Sequence, residues 1–157
     1  MRLPEATLGP VRRLRVMAAA IPGAVLMERV FDASFDEVWA LAGDLEHGVP
    51  RWEPMVSSAR VIERQGDRVS LVTQTPFRVS LSIDAVVRRG WCWMQTIPRF
   101  YVIGMAAEPE GRGTRFAQLE GSPLPGGRLL QPLVHLDVSY DLHSLGGLLS
   151  RGGQGYR

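Results

Sequence analysis

From Ala24 onward the chain alternates apolar and polar positions in short runs, interrupted once by a helical pattern. AVLMERVFD, Ala24–Asp32, is rich in large and β-branched apolar residues and reads as a strand. SFDEVWALAGDLEHG follows as a helix. Ser34 can cap it, Glu37 three residues later completes a capping box, and Phe35, Val38, Trp39, Ala42 and Leu45 form its apolar stripe. Gly48 is a good stop, and the prolines flanking Trp52 in VPRWEP turn the chain. VSSARVIERQ and RVSLVTQT then flank Gly66-Asp67, a hairpin signal. In FRVSLSIDAVVR, Phe77, Val79, Leu81, Ile83, Ala85 and Val87 share one face of a strand. WCWMQT, FYVIGMAA and TRFAQLEG extend the meander until SPLPGG breaks it. If Arg89-Gly90 is a two-residue turn, Arg88 pairs with Trp91. Cys92, Met94 and Thr96 then lie inside with Ile83, Ala85 and Val87, while Trp91, Trp93 and Gln95 lie outside. A slip of one residue reverses this.

The stretch VHLDVSYDLHSLGGLL, Val134–Leu149, fits two periods. Val134, Leu136, Val138, Tyr140 and Leu142 alternate as in a half-buried strand, yet Leu130, Val134, Val138, Leu142, Leu145 and Leu149 also recur at helical spacing. A strand here would need a partner after the sheet has been closed off. A helix over 129–149 is therefore predicted, about 31 Å long at 1.5 Å per residue. Leu129, Leu133, Leu136 and Tyr140 form a second apolar patch on it, while Gly146, Gly147 and Pro132 count against it, each glycine by about 1 kcal/mol.

The 157 residues suit one domain. With a single cysteine, Cys92, neither an internal disulfide nor a multi-cysteine metal site can form. No other metal-ligand spacing appears, so no metal and no cofactor are expected. All 18 basic residues are arginine, which fits the codon usage of a GC-rich bacterial genome better than nucleic-acid binding, and no nucleic-acid partner is expected. The first sixteen residues hold Arg2, Arg12, Arg13 and Arg15 against Glu5, leaving the remainder nearly neutral. Arg12, Arg13 and Arg15 before VMAAAIPGAVLM make a poor signal peptide. Residues 1–22 are expected to be a disordered leader, or Met17 the real start, so a chain beginning at Met17 should fold as well as the full one. Residues 151–157 are expected to be a flexible tail. No run has the roughly 18 continuous apolar residues of a membrane span, and a cytoplasmic protein is expected.

ERVFDASFDEVWALAGDLEHGVPRWEP, Glu28–Pro54, carries a resemblance. So does MAAEPEGRGTRFAQLEG, Met105–Gly121, where two strands meet at a glycine-containing turn ending in Gly113-Thr114. Over roughly residues 24–150 the chain resembles the START-like, or polyketide cyclase/dehydrase (SRPBCC), superfamily. The resemblance implies an α+β helix-grip fold over 23–150, like that of the birch-pollen allergen: a seven-stranded curved antiparallel sheet around a long C-terminal helix. These motifs are structural and do not specify an activity.

Such a fold leaves an apolar cavity between sheet and helix, with a few polar groups to orient a ligand. Trp52, Leu81, Ile83, Met94, Thr96, Met105, Phe116, Gln118, Val134, Val138 and Asp141 are the candidate ligand-binding residues. Asp141 falls inside the apolar stripe of the last helix, either as a cavity-facing carboxylate or as the ion-pair partner of Arg78 or Arg115. His47, His135 and His143 read as surface residues. Three functions remain open. One is binding of a hydrophobic small molecule (lipid, isoprenoid or polyketide-like). Another is an aromatase/cyclase-like enzyme, for which Thr96, Gln118 and Asp141 are the inward polar groups. The last is an interaction module with a filled cavity, in which Leu133, Leu136 and Tyr140 could form a homodimer contact.

Overall fold

The computed structural model describes residues 8–152. Its strands are β1 (Ala24–Phe31), β2 (Ser58–Gln65), β3 (Arg68–Gln74), β4 (Ser80–Arg88), β5 (Trp91–Ile97), β6 (Val102–Glu110) and β7 (Gly113–Gly121). They form one antiparallel sheet in the order β1-β7-β6-β5-β4-β3-β2, a meander whose last strand folds back beside its first. α2 (Phe35–Ala42) and α3 (Gln131–Gly152) cover one face, and α1 (Pro10–Ala20) covers part of the other. This is the α+β architecture expected, with α3 as its long C-terminal helix.

Local chemistry accounts for these elements. The capping box closes as predicted: Glu37 N donates to Ser34 Oγ at 3.2 Å, and Ser34 N donates to the Glu37 carboxylate at 2.8 Å. Arg89-Gly90 is a two-residue turn, and the register pairs Arg88 with Trp91, Val87 with Cys92, Ala85 with Met94 and Ile83 with Thr96. Cys92, Met94 and Thr96 are buried on the inner face. β4 starts later than the alternation suggested. Arg78 adopts φ 62°, and the turn it makes leaves Phe77 and Val79 exposed. On the free edge strand β2 the register shifts between Val61 and Glu63.

The doubly periodic stretch is a helix. Val134, Val138, Leu142 and Leu145 are buried against the sheet. Gly146 sits where α3 comes closest to β1; a Cβ there would lie 3.2 Å from the Phe31 ring and 3.3 Å from the Arg29 guanidinium. Pro132 falls in the first turn, where a missing N–H costs least. Leu129, Leu133, Leu136 and Tyr140 face away from the core and are 84%, 67%, 68% and 59% exposed.

The N-terminal segment corrects the expectation of a disordered leader over residues 1–22. Residues 10–20 form α1, with Val11 and Leu14 buried against Trp91, Val102, Ala106, Ala117 and Leu119. Trp91 is therefore on the outer face, as the register requires, yet only 6% exposed. Arg13 lies 4.6 Å from the Trp91 ring centroid, and Arg15 pairs with Glu28 at 2.6 Å. The approach is close enough that a Cβ on Gly104 would come within 2.6 Å of Leu14 Cδ1. The remainder of the leader, residues 1–7, and the tail beyond Gly152 lie outside the described residues.

Leu14→Ala is expected to destabilise the fold by about 2–5 kcal/mol, the usual cost of a cavity in a tight core. A chain beginning at Met17 should be weaker still, because it lacks both buried anchors. Urea unfolding curves equal to those of the full chain would show that α1 contributes nothing.

Candidate functional site

Four carboxyl groups meet between the sheet and α3. Glu53 follows the helical turn Val49–Arg51, and its carboxylate accepts from Met55 N at 2.8 Å. Its neighbour Trp52 is fixed by donation from Nε1 to Leu41 O at 3.3 Å and by an edge-on contact with Phe116. Glu120 lies on the inner face of β7, two residues beyond Gln118 and four beyond Phe116. Asp137 and Asp141 lie one turn apart on α3 and share a face. One oxygen from each of Glu53, Glu120, Asp137 and Asp141 can be chosen so that all four lie within 4.8 Å of one another. Glu53, Glu120 and Asp141 are buried, and Asp137 is half-buried.

The donors at this cluster are neutral. Gln118 Nε2 donates to Asp141 Oδ2 at 2.7 Å and to Glu120 Oε1 at 3.3 Å. The Tyr101 hydroxyl donates to Glu120 Oε2 at 3.1 Å. Among the described residues no ion pair reaches any of the four acids. Asp141 pairs with neither arginine considered for it: Arg78 is exposed, and Arg115 is taken up by Glu28 and Glu110. Asp141 Oδ1 and Gln118 Oε1 are buried without a hydrogen-bond partner.

Removal from water disfavours the charged form of a carboxyl group, and like charges nearby add to the effect. Burial, reinforced by Glu53 and Glu120, pushes the Asp141 carboxyl up to about 10. Burial likewise raises Glu53 and Asp137, and lifts Glu120 well above the ordinary carboxylate range. The Tyr101 hydroxyl is raised by burial and by Glu120. The four acids titrate as a group, and at neutral pH the group retains protons. Cys92, fully buried, is pushed up to about 12 and is no nucleophile.

The cluster borders an apolar cavity of about 30 Å³. Trp52, Ile83, Met94, Met105 and Gln118 line it, together with Glu53 and Glu120. Val134, Val138 and Asp141 are buried on the sheet-facing side of α3 but lie outside the cavity lining, to which α3 contributes no residue. Phe116 packs behind Trp52 in the core. Leu81 is only half-buried and lies outside the lining. Thr96 is committed to a turn: its Oγ1 accepts from Phe100 N and Tyr101 N, both at 3.1 Å, and donates to Pro98 O at 2.8 Å. A wider groove of about 320 Å³ is lined by Glu63, Gln65, Arg68, Ser70, Asp84 and Trp93 among others, and shares no residue with the acid cluster.

Sequence reasoning missed Glu53, Glu120 and Asp137. Two of them carried a signal. Glu120 continues the period-two inward series of Phe116 and Gln118, and Asp137 precedes Asp141 by one helical turn.

No family model matches the chain, and no curated protein matches it by sequence. Solved structures do match it. TTHA0849 from Thermus thermophilus superposes with a TM-score of 0.63 at 22% identity, over 82% of this chain and 98% of that one. A START superfamily protein from Mycobacterium smegmatis gives 0.63 at 15% identity, over 82% and 97%. The chain has a START-like, helix-grip fold. The di-domain ARO/CYC StfQ from the steffimycin biosynthetic pathway shares that START-like frame, with a TM-score of 0.67 at 9% identity, over 92% of this chain and 56% of StfQ.

The raised carboxyl groups fix a sign for pH dependence. The unfolded chain loses these protons near ordinary carboxylate values, about 4, whereas the folded chain holds them to higher pH. Their contribution to stability is full below the unfolded value and drains away as pH rises through the folded ones. In chelator-treated buffer the melting temperature should therefore fall between about pH 5 and about pH 9. Asp141→Asn should flatten that slope and raise the melting temperature at the alkaline end. Identical slopes for both proteins would mean that Asp141 is ionised in the native state.

Proposed function

We propose that the chain binds a hydrophobic small molecule (lipid, isoprenoid or polyketide-like) in the cavity between the sheet and the Leu45–Val56 segment, beside rather than beneath α3, with its polar end toward the carboxyl cluster. The observation that carries this reading is an apolar cavity with buried polar groups converging at one boundary: Gln118, Glu53 and Glu120 beside Met94, Met105 and Ile83. Sites for such molecules usually run to about 300 Å³ or more. At about 30 Å³ the cavity must widen to admit one, and Leu45, Val49, Trp52 and Val56 line it on the side away from the strands. Among the described residues no helix is long and apolar enough to cross a membrane. A cytoplasmic binding protein is the setting we propose.

A second reading is an enzyme of the aromatase/cyclase kind, and the protonated carboxyl groups favour it. A carboxyl that keeps its proton at neutral pH can donate it to a carbonyl oxygen as an enol forms. Asp141 held neutral beside Gln118 is such a group. A third reading, a protein-interaction module, draws on the small cavity and on the exposed face of α3. There Leu133, Leu136 and Tyr140 could pair with the same face of a second copy.

Native mass spectrometry of gently purified protein, followed by organic extraction, tests the first reading. A stoichiometric adduct of a few hundred daltons that leaves on denaturation is expected; a clean apo mass after purification from several growth conditions would overturn the carrier reading. Leu133→Glu with Leu136→Glu tests the third. Light scattering should show a dimer becoming a monomer, and a monomeric parent chain would dispose of the contact.

A further inference from the structure

The ligand reading leaves the acid cluster without an explanation of its own. Glu53, Glu120, Asp137 and Asp141 come from three separate parts of the fold and bring their carboxylate oxygens within 4.8 Å of one another, with only neutral donors, Gln118, Tyr101 and the Met55 backbone N–H, bonded to them. Oxygen atoms at such separations repel unless a proton or a cation lies between them. A second observation bears on which. The Gln118 side chain is 1% exposed, its amide nitrogen touches both Asp141 and Glu120, and its oxygen has no partner. Asp141 Oδ1 is equally buried and equally without one. A buried acceptor left unsatisfied is costly, and a carbonyl oxygen and a carboxylate oxygen are both good ligands for a hard cation.

The dimensions agree. Two oxygens on opposite sides of a calcium ion, each at about 2.3–2.6 Å, are about 4.6–5.2 Å apart. Octahedral magnesium draws opposite ligands in to about 4.2 Å. The four carboxylate oxygens all lie within 4.8 Å of one another, close enough to share one such ion. The donor set is all oxygen, with no histidine or thiolate, which fits calcium or manganese and disfavours zinc or copper. The adjoining cavity has room for about one water molecule to complete the shell. Asp137, the half-buried member, marks where an ion would enter.

We propose that Glu53, Glu120, Asp137 and Asp141, with the Gln118 carbonyl oxygen, form a binding site for one divalent cation of calcium or manganese size. The ion replaces the protons that the carboxyl groups otherwise share, so uptake releases protons to solvent and strengthens as pH rises. The cation site borders the proposed ligand's cavity and shares Glu53, Gln118 and Glu120 with its lining, but the two readings are tested separately. A chain that binds the ion but carries no extractable molecule retains this site and loses the carrier reading, and the converse result does the opposite.

The experiment is a titration of the full chain, freed of metal by chelator, with Mn²⁺ at about pH 8, followed by electron paramagnetic resonance of the free ion and by calorimetry in two buffers of different ionisation enthalpy. The expected result is one Mn²⁺ per chain with a dissociation constant at or below about 100 µM, displaced by excess Ca²⁺. Proton release on binding and a higher melting temperature should accompany it. Asp141→Asn and Glu120→Gln keep the shape of the neutral acids and should fold; each should weaken Mn²⁺ binding by at least about tenfold. Gln118→Leu should weaken it less. Absence of stoichiometric binding up to millimolar Mn²⁺ would overturn the proposal. So would binding that survives both acid substitutions, which would put the ion elsewhere on the surface.

Discussion

Burying Val134, Val138, Leu142 and Leu145 against the sheet carries Asp141 in with them, because it lies in the same sector of α3 as those four. Each aliphatic side chain so buried contributes about 1.5–3 kcal/mol, enough to seat the helix despite Gly146 and Gly147. Once α3 is seated, the carboxyl group cannot reach water. It must be held neutral, bonded by Gln118, or matched by positive charge. The other acids follow the same logic: Glu120 comes with the inner face of β7, and Glu53 with the turn that docks Trp52 edge-on to Phe116. The hydrophobic seam and the polar cluster are thus one arrangement.

Much of this was legible in the chain. The capping box, the Arg89-Gly90 turn and the inward series of β5 rest on interactions between residues close in sequence, which local patterns report well. The double periodicity of Val134–Leu149 resolved by argument about what a further strand would pair with. α1 was hidden because Arg12, Arg13 and Arg15 ahead of an apolar run read as a poor signal peptide rather than as a packed helix. The clue lay elsewhere, in the outward positions Trp91, Val102, Ala106, Ala117 and Leu119, which are too apolar to face water and require a cover. The acid cluster was least legible. Its members come from positions 53, 120, 137 and 141, and only the closed topology makes them neighbours.

Structural likeness at 9–22% identity establishes the fold and leaves the chemistry to the site. Here the site is unusual for its lack of cations. Arginine is plentiful on this protein, yet its guanidinium groups pair at the surface, as Arg15, Arg88, Arg89 and Arg115 do, and among the described residues none reaches the interior acids. Whatever enters the cavity meets an apolar wall on one side and proton-bearing groups on the other.

The register shift on β2 bears on how copies of this protein meet. An edge strand is a template for further strands, and chains that expose a flat one tend to stack. Between Val61 and Glu63 the ladder of β2 is offset, and Arg60, Glu63 and Arg64 stud the strand with charge of both signs. Sheet extension across that border is blocked both by geometry and by desolvation of the charges.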